Sequence, residues 1–288
     1  MEILTIVLAG LLGIGSSGGI VLDKIAQGKI RSQVISVEQQ AVRIDNQPNY
    51  RAAQGKLARV RIASRGVRIK PGIRIASLDL ETDPLAVKLA KIKLSNIDRL
   101  RESLTAPAAG AVKVVLTEKD LNQALQSTEI QAQLQNTLNR LIVSRAGSTN
   151  ISYQLADIQL KLRPKNRLQV SFKLSRPRTN LNLESNLESN ATPGTYQTKN
   201  PSRELAISLE LTLKVINGKK VRLLNPQGTV NGRPMSSRLL NGFATGISDR
   251  LNLNTLSEDG ILARILQLEI NEDNLQLISF VRLETKMP

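Results

Sequence analysis

The run Leu205-Ala-Ile-Ser-Leu-Glu-Leu-Thr-Leu-Lys-Val215, followed by Asn217-Gly218, decides the fold class. Apolar residues occupy every second position, at Leu205, Ile207, Leu209, Leu211, Leu213 and Val215, and polar residues fill the gaps. That is the two-residue period of a strand with one buried face. Asn-Gly favours a two-residue hairpin turn because both residues tolerate positive φ, and Val221 and Leu223 answer on the far side. The same alternation spreads outward through Leu168, Val170, Phe172 and Leu174. Before that come Ile151, Tyr153 and Leu155, then Ile158, Leu160 and Leu162, with a phase slip near Asp157. Further upstream, Leu57, Val60 and Ile62 lead into Val67, Ile69, Ile73, Ile75, Leu78 and Leu80. At the C-terminus, Ile261 to Ile270 and Leu275 to Leu283 flank a turn from Asn271 to Asn274. One-sided strands joined by short turns predict antiparallel sheets.

Three helical patterns interrupt the strands. Thr117-Glu-Lys-Asp120 opens one, with Thr117 as N-cap, Asp120 approximating the capping-box acid, and Leu121 and Leu125 as its apolar side. Ser127 or Thr128 caps the next, whose stripe is Ile130, Leu134, Leu138 and Leu141. The third begins near Met235 and places Leu239, Phe243, Ile247 and Leu251 four residues apart. Strands-then-helix order thus recurs in both halves, which suggests an internal duplication. A further amphipathic helix is expected over Gly19 to Gln33, opening the folded body. The polar, Asn- and Ser-rich stretch 178–203 reads as a mobile loop.

The expected architecture is α+β, with long curled antiparallel sheets packed on a few helices. Residues 1–18 form an apolar anchor or signal-type segment, and residues 19–288 form a single domain. One-sided strands must cover their apolar faces, and with only three Tyr, three Phe and no Trp the cover is aliphatic. Either a solid Leu/Ile/Val core or an aliphatic groove satisfies that demand. Periodicity alone favours the solid core, while a groove would suit acyl chains.

Composition removes most catalytic chemistry. With no His and no Cys, Ser-His-Asp and Cys-His nucleophile systems and the usual zinc ligand sets cannot be assembled. Asp79, Glu81 and Asp83 alternate along one strand face and could hold Mg²⁺ or Ca²⁺, but such a row reads first as a solvated strand end before Pro84. Gly13, Gly15 and Gly18 fit G-x-G-x-x-G, with Glu38 following. A dinucleotide site would need a βαβ unit and a parallel sheet there, so the glycines read as a hinge. No cofactor and no metal is implied, and the chain reads as a non-enzyme.

Charge is abundant and uneven. Forty Lys and Arg against 24 acids give +16. No acid lies between Asn46 and Leu78, a span holding Arg51, Lys56, Arg59, Arg61, Arg65, Arg68, Lys70 and Arg74. Two more acid-free runs span Lys161 to Arg178 and Lys214 to Arg238. Such faces attract an anionic bilayer or nucleic acid. Nucleic acid is the weaker candidate, because single-strand binders stack bases on aromatic side chains that these runs lack. Ile3 to Leu22 is uncharged and about as long as a bilayer span. Its glycines leave Ile3 to Leu12 as the better anchoring core. Lys24, Lys29 and Arg31 behind it favour a body on the cytoplasmic side.

Several segments together resemble a known family. They are Val21-Leu-Asp23-Lys-Ile-Ala26, Pro48-Asn-Tyr50, Gly55-Lys-Leu-Ala-Arg-Val60-Arg-Ile62, Leu78-Asp-Leu-Glu-Thr-Asp-Pro84 and Leu116-Thr-Glu-Lys-Asp-Leu-Asn-Gln-Ala-Leu125. In these the chain resembles the bacterial LmeA-like phospholipid-binding family in its cyanobacterial form. The resemblance implies a body similar to tubular lipid-binding folds, phospholipid binding, and a role at a cell envelope or other membrane without enzymatic activity. Against that background Val170, Phe172, Leu174, Ile207, Leu209, Leu211 and Leu213 are the expected apolar interior. Arg59, Arg61, Arg68 and Arg74 are the expected contacts to anionic headgroups or the membrane surface. The runner-up is a membrane-anchored scaffold with a solid core. Plasma membrane, thylakoid and cell envelope are the candidate locations.

Overall fold

Turn chemistry sets the strand ends in the computed structural model, which describes residue 31 and residues 34–45, 50–88, 101–146, 153–175 and 204–285. Strand β1 (Gln39–Asp45) precedes a one-turn helix α1 (Tyr50–Ala53) and the short β2 (Lys56–Leu57). Strands β3 (Arg59–Lys70) and β4 (Ile73–Thr82) then form a hairpin across Pro71-Gly72, where Gly72 takes φ +79°. A short β5 (Leu85–Ala86) pairs with β2, and β6 (Ala108–Thr117) follows. The chain closes with the hairpin β12 (Ile261–Ile270) and β13 (Asn274–Leu283). These strands build a six-stranded antiparallel sheet in the order β1-β3-β4-β6-β13-β12. The C-terminal hairpin therefore returns to the sheet that the N-terminal strands began.

Between β6 and β12 the chain makes the second sheet. Helix α2 (Glu118–Leu125) leads into α3 (Thr128–Ala146), then β7 (Gln154–Arg163) and β8 (Arg167–Ser175). Strands β9 (Glu204–Ile216) and β10 (Lys220–Val230) follow, with a short β11 (Arg233–Pro234), helix α4 (Ser237–Arg250) and a 3₁₀ turn over Leu253–Ser257. The five strands order as β11-β10-β9-β8-β7, again antiparallel. Asn217 (φ 52°) and Gly218 (φ 68°) make the β9–β10 turn. The phase slip expected near Asp157 is a register shift between Ala156 and Gln159, with Asp157 at φ 51°.

The first sheet covers a dense core. Val60, Ile75, Ile261, Ile270 and Leu283 are almost wholly inaccessible, and Leu57, Ile62, Val67, Leu78, Leu80, Leu85 and Leu104 join them. Val60, Ile75, Ile261 and Leu283 belong to one contiguous cluster. The void left among Leu80, Leu85, Ala108, Val112 and Leu283 is about 10 Å³, room for about one water molecule. The inner side of the first sheet is closely packed around that cluster, with half-buried Val112, Val114 and Val281 against it. Gly66, at φ +61° in β3, lies against the Glu38 carboxylate, so a side chain there would meet both backbone strain and a collision.

Two expectations change at the helices. The capping box of α2 is complete: the Thr117 hydroxyl accepts from the Asp120 backbone N–H (3.1 Å), and Asp120 accepts from the Thr117 backbone N–H (3.1 Å). Helix α4 is rotated from its predicted stripe. Leu239 (47 % exposed) and Leu251 (41 %) face out, while Leu240, Ala244 and Ser248 are buried. Small residues win because α4 lies close on β10. The Ser248 hydroxyl donates to the Ala244 carbonyl (2.6 Å) and accepts from the Leu223 N–H (2.9 Å). The terminal segment 1–18, almost all of the expected helix over 19–33, the glycine hinge and the loop 178–203 lie outside the described residues.

Candidate functional site

Cross-strand register assembles one apolar face on the second sheet. Leu162, Leu168 and Leu211 stand in one row, Leu160, Val170, Leu209 and Gly228 in the next, then Phe172, Ile207 and Val230, and finally Leu155, Leu174 and Leu205. Six of the seven predicted interior residues thus lie in adjacent rows, and Leu213 continues the face opposite Leu223. Their environments differ. Leu209 and Leu211 are buried, Leu211 lies in a cluster with Leu223 and Ala244, and Leu213 packs against it. At Gly228 an added Cβ would come within 2.7 Å of Leu209, 3.0 Å of Leu240 and 3.1 Å of Met235, so α4 sits directly on these rows. Leu174 is also buried, but Val170, Phe172 and Ile207 keep half-buried side chains. The apolar face is therefore covered at one end and partly open in the middle.

The outer edge of β7 is closed by side chains rather than by another strand. Leu162 N–H donates to Glu118 Oε2 (2.9 Å), and Leu160 N–H donates to Asn122 Oδ1 (2.8 Å). Asn122 Nδ2 returns a bond to the Leu160 carbonyl (2.8 Å), and Gln126 Nε2 donates to the Ile158 carbonyl (3.0 Å). From α3, Gln135 accepts from Leu155 N–H (2.9 Å) and donates to the Tyr153 carbonyl (2.5 Å). The geometry fits because four helical residues advance about 6.0 Å and two strand residues about 6.7 Å. Sequence reasoning missed this ladder. Its signal was the polar series Glu118, Asn122 and Gln126 at four-residue spacing beside Leu121 and Leu125.

The four predicted arginines separate into two pairs. Arg59 and Arg61 lie on the outer face of the first sheet, where Arg59 pairs with Glu81 (3.3 Å) and Arg61 with Asp45. Arg68 and Arg74 oppose each other across β3 and β4 and line an open polar depression of about 830 Å³ with Glu38, Lys119, Asp120 and Asn122. Arg68 is exposed and has no ion pair among the described residues. Arg74 donates to Glu38 (3.0 Å) and to Asp120 (3.0 Å), whose side chain is only 3 % exposed. Asn122 lines this depression and also holds β7, so α2 is shared by the depression and the second sheet.

Burial pushes the Asp120 carboxyl upward, yet hydrogen bonds from Thr117 and Arg74 outweigh it and hold the group below the ordinary carboxylate range. Arg74 is raised correspondingly, first by its bond to Asp120 and then by Glu38. Asp45 is lowered by Arg61 and Arg43, and Lys173 is raised by Asp157 and Glu204. Two of the three carboxylates weighed as metal ligands have other partners. Asp79 takes Arg65 (2.6 Å) and the Ser77 hydroxyl (3.3 Å), and Glu81 takes Arg59. Among the described residues no group of three or more carboxylates is arranged to hold a metal ion. No helix among them is long and apolar enough to cross a membrane.

A family model described as LmeA-like phospholipid-binding matches residues 16–280. Neither the curated proteins nor the solved structures give a significant match to the chain.

Proposed function

The chain belongs to the LmeA-like phospholipid-binding family, and from that premise we propose that it binds phospholipid at a membrane by sheltering acyl chains on the second sheet. Val170, Phe172 and Ile207 are the contact surface in this reading, with Leu174, Leu209, Leu211 and Leu213 as its buried margin. The half-buried state of those three apolar residues, on a sheet whose neighbouring rows α4 closes, is the observation that carries it. An exposed apolar surface of this kind gains about 25 cal/mol per Å² on contact with hydrocarbon. The depression beside α2 supplies the headgroup side: Arg68 is free to meet a phosphate, and Arg74 holds its wall. Arg59 and Arg61 act as membrane-surface charges. The protein works by binding and not by catalysis, at a plasma membrane, thylakoid or cell envelope. The return of β12 and β13 to the first sheet supports treating 19–288 as one domain behind the 1–18 segment.

The test is native mass spectrometry of protein purified without detergent, followed by organic extraction and lipid analysis. A stoichiometric phospholipid that is lost in Phe172→Glu and Ile207→Glu, with the fold retained, is the expected result. Leu209 and Leu211 are unsuitable test positions, because a charge under α4 would unfold the sheet. An apo mass that takes up no lipid from vesicles would return the reading to a membrane-anchored scaffold, which the solid core of the first sheet favours.

A further inference from the structure

The outer face of the first sheet carries an apolar feature that the lipid-binding reading does not use. Strand β12 alternates Ile261, Ala263 and Ile265 inward with Leu262, Arg264 and Leu266 outward, and Ile261 and Ile265 are buried. Leu262 is 47 % and Leu266 60 % exposed. A register shift between Ile265 and Gln267 leaves Leu266 unpaired beside Gln267, which opposes Ile278. On β13, Arg282 opposes Leu262 and Phe280 opposes Arg264; on β6, Ala111 opposes Phe280 and Lys113 opposes Ile278. Two exposed leucines, a half-buried Phe and a half-buried Ile are thus interleaved with Arg264, Arg282 and Lys113 on one broad sheet face, whose acids are Glu269, bonded to Gln267, and Asp79, opposite Lys113 and paired with Arg65. Arg282 is paired with Glu284 (2.9 Å), whereas Arg264 and Lys113 have no ion pair among the described residues.

We propose that this β12–β13 face is where the protein docks on an anionic phospholipid bilayer, an inference that rests on the phospholipid-binding reading and adds the surface of approach. Leu262 and Leu266 enter the interfacial zone, while Arg264 and Lys113 lay their aliphatic stems beside them and keep their charges at the headgroups. Charge complementarity selects this occupant. A second copy pressed on the same patch would set the unpaired cations Arg264 and Lys113 near those of its partner, and like charges there disfavour the contact. The buried Ile261, Ile265, Ile270 and Leu283 beneath the face form a rigid floor, so the two leucines can change without unfolding the sheet.

The chain has no cysteine, so a single introduced one carries an environment-sensitive fluorophore at a known place. Full-length protein labelled at Leu266→Cys or Leu262→Cys is mixed with phosphatidylcholine vesicles with and without phosphatidylglycerol; Gln133→Cys, at an exposed position of α3, is the control. A blue shift at 262 and 266 that requires phosphatidylglycerol and weakens with salt, with none at 133, is expected. Leu266→Glu should lower vesicle partitioning by about tenfold while leaving any co-purified phospholipid in place. A vesicle-bound protein whose 262 and 266 probes stay in water overturns the proposal. So does a concentration-dependent dimer that shifts the probes without vesicles. Wild-type protein that docks through 262 and 266 yet carries no co-purified lipid would instead count against the second-sheet reading alone.

Discussion

The two sheets share a period and a composition but not a degree of closure. In the first, inward side chains from six strands meet one another and the chain's own loops, leaving a void of about 10 Å³. In the second, α4 covers the rows of Leu209, Leu211 and Leu223, while Val170, Phe172 and Ile207 remain half-buried. Alternating aliphatic residues therefore specify a face and not what lies on it. One face became core, and the other keeps half-buried residues in its middle rows.

Five substitutions test that contrast, running from the largest expected loss to the smallest, with Phe172→Ala set beside Ile75→Ala as its second-sheet counterpart. Ile75→Ala in the closed core should lose about 3–4 kcal/mol in urea unfolding, since the packed surroundings cannot collapse into the cavity. Phe172→Ala should cost less than half as much while reducing lipid retention. Equal losses at both positions would erase the distinction between the sheets. Asp120→Asn should cost about 2–3 kcal/mol at neutral pH, by weakening the bond to Arg74 and the α2 cap. The sign follows from its lowered pKa: the stabilisation is complete above the unfolded value of about 3.9 and disappears as pH falls through the lower folded value. The variant's stability should accordingly depend less on pH below about 4 than the parent's, read by denaturant titration across that range.

Asn122→Ala should cost about 2 kcal/mol, because it strands the Leu160 N–H and carbonyl at the strand edge. Amide exchange at Leu160 and Leu162 should quicken while Val60 and Ile75 stay protected. Uniform acceleration would mean that the two sheets open together. The smallest effect, about 1 kcal/mol, is expected for Asn217→Ala, which places an ordinary side chain at φ 52° in the hairpin turn. That turn also joins the two sheets, because the Gly218 carbonyl accepts from Ile265 N–H (2.7 Å). The thermal shift of the variant should therefore be shared by both sheets.

Much of the local structure was legible before the tertiary structure. Alternation located β7 through β10 and the C-terminal hairpin, Asn217-Gly218 marked its turn, and Asp157 marked the register shift. The stripe of α4 was misread by one residue, because Leu239 and Leu251 outweigh Ala244 and Ser248 in hydropathy, whereas close approach to β10 favours the smaller side chains. The arginines of β3 and β4 were read as a free basic surface because no acid lies near them in sequence. Sheet pairing gives most of them partners from distant segments: Glu81 for Arg59, Asp45 for Arg61, Asp79 for Arg65, and Glu38 and Asp120 for Arg74.

By itself the sequence determined the strand period, the aliphatic nature of the interior, the excess of positive charge and the want of imidazole and thiol chemistry. These are properties of residue type and near-neighbour spacing, and they survive in any arrangement of the chain. Tertiary structure decided which strands share a sheet, which side chains close the edge of β7, which arginines remain unpaired and which apolar face stays open. Those outcomes depend on contacts between residues far apart in sequence, such as Asn122 with Leu160 and Arg74 with Glu38, whose pairing no local pattern encodes.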